Sequence, residues 1–183
     1  MEFIAKNFLE TQKLAKKIIK KLKPGDVLAL KGNLGSGKTC FAQGLAKALG
    51  IKKIITSPTF ALLKIYPVKY NKANAEQFNK INHIKHKALF VKQKLFNRIN
   101  PVKYKKTDSK QFDKIKKLYH FDLYRINNEK ELLDLGFEEI LEKKDGIIVI
   151  EWPERAKKIL KKNKININFK FVDENTRTIK IKI

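Results

Sequence analysis

The stretch that most constrains this chain is DVLALKGNLGSGKTCFAQGLAKALG, Asp26 to Gly50. A short apolar run is followed at once by a glycine-rich turn and then by a helix-forming segment closed by Gly50. Within it, Gly32 to Thr39 fits G-x-x-x-x-G-K-[ST]. Glycines let the backbone wrap closely around phosphate, so that successive N–H groups point inward as an anion nest. The helix that follows turns its positive N-terminal end to the same charge. Lys38 is placed to reach the β- and γ-phosphates, and the Thr39 hydroxyl to bind Mg²⁺. A turn of this kind has to sit between a buried strand and a helix that covers it.

The remaining pattern supplies the other layers. Leu14, Ile18, Ile19 and Leu22 recur at helical spacing within Glu10–Leu22, and Pro24-Gly25-Asp26 ends that helix. KIITS and TFALLKIY are strand-like, and KLYHFDLYR predicts a strand from Lys117 to about Tyr124. NEKELLDLGFEEIL predicts a helix, or a helix pair broken at Gly136. GIIVIEW is an unbroken apolar run, as expected of a parallel strand buried on both faces. PERAKKILKK reads as a helix with Pro153 in its first turn. ININFKFV and RTIKIKI alternate around DENT and predict a hairpin. Strands alternating with helices indicate one α/β domain of three layers, of P-loop NTPase type: a mostly parallel central sheet with an antiparallel C-terminal hairpin.

A phosphate-binding loop of this type works with a carboxylate that holds the metal's hydration shell, usually at the end of an apolar strand. Two strands offer one: GIIVIE ends at Glu151 and LYHFD at Asp122. The run before Glu151 is the more apolar, which gives Glu151 the metal role alongside Thr39. Asp122 is then free to orient or activate the attacking water. The plainer reading of either is a solvated strand end. Trp152 reads equally well as a packing residue, Cys40 as a buried thiol and His120 as structural; His83 and His86 have no metal-ligand partners in the sequence.

Several classes are excluded or disfavoured. The N-K-x-D element of guanine-specific GTPases is absent, which favours ATP. The core beyond the loop has few arginines, chiefly Arg125 and Arg155, whereas small-molecule kinases carry an arginine-rich lid. A small-metabolite kinase and a nucleotide-switched RNA-binding protein stay open as alternatives to an ATPase. The single cysteine fits a reducing compartment. The N-terminus lacks a signal-peptide core, and no apolar run approaches the roughly 20 residues of a membrane span, so the expected location is the cytoplasm.

GNLGSGKT, SPTF at Ser57–Phe60, HFDLYR at His120–Arg125, ELLDLGFEEIL and IEWPERA from Ile150 occur in an order and spacing that resemble the TsaE (YjeE) family. The resemblance covers nearly the whole chain except about Pro67 to Lys117. It implies an ATPase of tRNA threonylcarbamoyladenosine synthesis at position 37, acting with a TsaB–TsaD pair. By motif, Leu34, Gly35, Ser36, Gly37, Lys38 and Thr39 would bind ATP, and Thr39 and Glu151 would hold Mg²⁺. Asp122 and Lys38 would serve hydrolysis, and Ser57 and Thr59 would form a switch-type segment beside the γ-phosphate. Trp152 would adjoin the nucleotide. The family places adenine between the N-terminal segment and the C-terminal hairpin, where Thr11 and Thr176 are the candidates. Asn33 stands where the family usually has Asp, and Cys40 where it usually has a second Thr.

The segment outside the resemblance carries a repeat. PVKYNKANAEQFNKI, Pro67–Ile81, returns 34 residues later as PVKYKKTDSKQFDKI, Pro101–Ile115, with nine of fifteen positions identical. Two copies without a Trp/Gly/Tyr pattern are not a tetratricopeptide array. Removing Pro67 to Asn100 leaves a linker nearer the family's length, so residues 67–117 read as a basic insertion that duplicated its own flank. The whole chain has net charge +24, and Val68 to Leu118 hold fifteen Lys/Arg against three Asp/Glu, half of that excess. Phe78, Ile81, Ile84, Ala88, Val91, Leu95 and Ile99 follow helical spacing, which suits a basic amphipathic helix. A tolerated surface insertion is the first reading, since long loops cost only logarithmically more chain entropy, and RNA contact the second.

Overall fold

The computed structural model describes residues 1–69, 114–160 and 162–182. The amphipathic stretch and most of the repeat lie outside the described residues. Strands β1 (Glu2–Ala5), β2 (Val27–Lys31), β3 (Leu63–Pro67), β4 (Lys117–Asp122), β5 (Gly146–Glu151), β6 (Ile165–Phe171) and β7 (Arg177–Lys182) form a sheet in the order β1-β7-β6-β2-β5-β4-β3. The central four, β6, β2, β5 and β4, are mutually parallel. Antiparallel β3 extends one side, and the β6–β7 hairpin with β1 extends the other. This is the predicted mixed sheet with its C-terminal hairpin.

Alternation along the strands divides the core into two layers. On β5, Ile147 and Val149 pack beneath α1 (Phe8–Ile18) and α2 (Lys38–Ala48). Ile148 and Ile150 face the other way, onto α3 (Lys130–Asp134) and α4 (Phe137–Glu142). Every residue of β5 is buried, which is why that strand reads as a continuous apolar run. α1 starts at Asn7, whose Oδ1 accepts from the Glu10 amide at 2.9 Å, while Glu10 Oε2 accepts from the Lys6 amide at 2.8 Å. α1 and α2 approach closely at Gly44, where a Cβ would come within 2.7 Å of the Gln12 Cα.

Three local expectations are corrected. β1 was not expected; it is four residues long and pairs only with β7. KIITS is not a strand: Ile55 is buried, but its carbonyl accepts from the Gln43 side chain at 2.9 Å rather than from a neighbouring strand. PERAKKILKK forms only a 3-10 turn over Pro153–Ala156, and the Lys158 amide donates to Glu129 Oε1 at 3.0 Å instead of continuing a helical ladder. By contrast, the break at Gly136 yields two short helices, α3 and α4, as the sequence indicates. β3 and β4 leave and re-enter the sheet side by side, with Pro67 opposite Lys117 and the Val68 amide donating to the Lys116 carbonyl at 2.8 Å.

Candidate nucleotide site

The carboxyl ends of β2, β5 and β4 lie in a row, and in an open α/β sheet that is where ligands bind. Leu30 pairs with Glu151, and Glu151 with Asp122. The chain leaves β2 into the glycine-rich turn, so register alone brings both carboxylates beside that turn. A cleft of about 320 Å³ opens there. It is lined by Leu34, Gly35, Gly37, Lys38, Thr39 and Cys40 of the glycine-rich turn and α2, and by Ser57, Thr59, Asp122, Tyr124, Glu151 and Trp152.

Gly37 caps α2 with φ of 100°, a conformation that side chains rarely adopt, and its carbonyl accepts from Phe41 N at 2.9 Å. Lys38 is buried, and its Nζ donates to the carbonyls of Gly32 at 2.8 Å and Asn33 at 2.9 Å. Its ammonium also stands 4.1 Å from the centre of the Trp152 ring. Trp152 takes that place because its own backbone is left-handed, with φ of 59°. Burial pushes the Lys38 pKa down, and the nearby charges of Glu151, Asp122 and Glu154 pull it partly back. An anion entering the cleft would favour the ammonium further.

The two carboxylates are almost fully buried, Glu151 at 2% and Asp122 at 3% exposure. Glu151 accepts the Thr39 hydroxyl, whose Oγ1 lies 2.9 Å from Oε1 and 3.1 Å from Oε2. His120 Nε2 lies 2.9 Å from Oε1. Asp122 Oδ2 accepts from Ser57 Oγ and, at 2.7 Å, from Thr59 Oγ1; the two hydroxyls are 2.7 Å apart. Asp122 Oδ1 accepts from the Tyr124 amide at 3.0 Å. Thr39 and Glu151 form an all-oxygen donor pair beside the anion nest. That suits Mg²⁺, which takes one or two protein ligands and completes its shell with phosphate oxygens and water. No cluster of three or more His, Cys, Asp or Glu that could cage a metal occurs among the described residues.

Not every expected residue lines the cleft. The Ser36 side chain is fully buried and its amide bonds to the Asn33 carbonyl at 3.2 Å, inside the turn. Thr11 is buried in α1 with Oγ1 3.5 Å from the Asn7 carbonyl, and the Thr176 amide donates to Asp173 Oδ1 at 2.7 Å in the β6–β7 turn. Both lie outside the cleft's lining. Cys40 does line the cleft, half-buried with Sγ 3.4 Å from the Phe8 carbonyl, and burial raises its pKa, so the thiol is not primed for reaction.

Three participants escaped the sequence reading. Tyr124 lines the cleft with its ring 5.0 Å from that of Trp152. Arg177 is buried with Cδ 3.3 Å from where a Gly37 Cβ would stand, which sets it against the turn. His120, expected to be structural, touches Glu151. For Tyr124 and His120 the available signal was adjacency to Asp122 within HFDLYR; Arg177 had none.

A family model described as "Threonylcarbamoyl adenosine biosynthesis protein TsaE" matches residues 5–94 and 96–179, and so runs through the lysine-rich segment as well. The chain is 33% identical over 174 residues to the tRNA threonylcarbamoyladenosine biosynthesis protein TsaE of Rickettsia typhi, spanning 94% of this chain and 88% of that protein. The protein of the same name from Bacillus subtilis is 31% identical over 170 residues, 93% of this chain and 77% of that one. A crystal structure of Bacillus subtilis YdiB matches with a TM-score of 0.60 and 25% identity, covering 98% of this chain and 82% of that chain. The chain belongs to the TsaE family of threonylcarbamoyl adenosine biosynthesis proteins.

Proposed function

We propose that this protein is a Mg²⁺-dependent ATPase serving threonylcarbamoyladenosine synthesis at position 37 of tRNA, with a TsaB–TsaD pair as its partners. The observation that carries the reading is the bond from Thr39 to Glu151, which joins the first turn of α2 to the end of the neighbouring strand. It prepares an oxygen pair beneath the anion nest before nucleotide arrives. Thr39 and Glu151 would hold Mg²⁺ there, and the ion would supply positive charge to offset what develops on the phosphates during hydrolysis. Lys38 exchanges its two carbonyl partners for phosphate oxygens. Glu151 accepts a hydrogen bond from the Thr39 hydroxyl, which leaves that oxygen's lone pairs for the metal. Asp122 orients the attacking water, and Ser57 and Thr59 must yield part of its carboxylate to do so.

Residues 67–117, which join β3 to β4, are read as an insertion that takes no part in this machinery. No described helix is long and apolar enough to cross a membrane. Reconstituted tRNA modification with TsaB and TsaD tests the reading. Lys38→Ala and Glu151→Ala should each abolish multiple turnover while single-turnover product still forms. Unimpaired turnover by Lys38→Ala would refute it.

A further inference from the structure

We infer that His120 is a positioning residue for the metal site: its Nε2–H holds the Glu151 carboxylate in the orientation that receives Mg²⁺. The inference rests on the proposed metal role of Glu151.

Position 120 lies inside an apolar strand. Leu118, two residues earlier, joins the core beneath α1 and α2, and strand alternation turns His120, like Asp122, to that same side. An aliphatic side chain would satisfy such a position. The imidazole there is fully buried, and burying a polar ring without a partner is costly. The partner that offsets the cost is Glu151 Oε1, 2.9 Å from Nε2.

Tautomer and direction follow from the other nitrogen. Nδ1 is buried and has no hydrogen-bond partner among the described residues. A proton on Nδ1 would be a buried, unpaired donor, whereas a bare lone pair there is the cheaper orphan. The proton that the geometry calls for is therefore on Nε2, which donates to the Glu151 carboxylate. The carboxylate is then fixed by two donors from different elements, Thr39 on α2 and His120 on β4. Thr39 lines the cleft and would share its oxygen with the metal, while His120 is fully buried and has no other side-chain partner among the described residues. Outer partners of this kind fix a ligand's orientation and tune its affinity for metal.

The test uses the full chain and a fluorescent ATP analogue, with binding followed as Mg²⁺ is titrated in. His120→Leu should raise the Mg²⁺ midpoint about tenfold or more, and His120→Gln, which returns an N–H to the same reach, should bring it back to within about threefold of wild type. Analogue affinity in EDTA should be unchanged in both. A His120→Leu midpoint within about twofold of wild type would overturn the inference. Imidazole ¹⁵N spectra of the wild-type protein give a second reading that needs no folded variant. They should show a protonated Nε2 at His120, and a tautomer with its proton on Nδ1 alone would overturn it. Glu151→Gln, run alongside, separates the two levels. If it keeps the wild-type midpoint, the metal role of Glu151 has failed; if it shifts while His120→Leu does not, only the role of His120 has.

Discussion

Glu151 and Asp122 hold the same register position on neighbouring parallel strands and are buried to the same degree, yet their partners are of opposite kinds. Glu151 is held by Thr39 in the first turn of α2 and by His120 within the sheet. Asp122 is held by Ser57 and Thr59, two hydroxyls on the irregular connection between α2 and β3. One carboxylate is bolted to regular structure; the other is tied to a loop. A metal ligand gains from a fixed position, whereas a group that orients water beside a γ-phosphate gains from partners that can respond to nucleotide. The loop's surroundings agree: Phe60 is 84% exposed beneath the Arg125 guanidinium, 4.1 Å from its ring centre.

The contrast can be broken in graded steps. Glu151→Gln should cost most, lowering ATP turnover by a hundredfold or more, roughly the loss of a pre-organised electrostatic group. Its Mg²⁺-dependent nucleotide binding should go with the turnover. Asp122→Asn should follow, with hydrolysis reduced on the order of a hundredfold while Mg²⁺-dependent binding stays intact. Ser57→Ala should lower kcat only about threefold to tenfold, one hydrogen bond's worth, because Thr59 still holds Asp122. Stopped-flow phosphate release would separate these three. The smallest effect belongs to removing Pro67 to Asn100, which should leave both ATP turnover and the salt dependence of tRNA affinity near wild type. A clear loss of tRNA affinity on that deletion would give the insertion an RNA-binding role.

The half of this contrast that was legible in the sequence is the half built from local pattern. The phosphate loop announces itself because a strand, a glycine turn and a helix must follow in that order. Both carboxylates stand out because each ends an apolar run. What the pattern did not carry is pairing across distance. The bond from His120 to Glu151 spans 31 residues, and a lone histidine in an apolar run reads as packing. Ile54 and Ile55 look like strand residues, but backbone pairing there was replaced by a side chain, Gln43, from α2. β1, EFIA, is too short to show any period, and it exists because the edge of β7 receives it. Thr11 and Thr176 were drawn from family geometry alone, and the described cleft is lined without them.

The division of labour between the two carboxylates is tested most directly by measuring, in one preparation each of Glu151→Gln and Asp122→Asn, both Mg²⁺-dependent nucleotide binding and single-turnover ATP hydrolysis in the presence of TsaB and TsaD. The expected result is that Glu151→Gln loses the Mg²⁺ dependence of binding together with hydrolysis, whereas Asp122→Asn keeps the binding and loses only hydrolysis. The reverse pattern, with Mg²⁺ dependence lost in Asp122→Asn and kept in Glu151→Gln, would contradict the assignment.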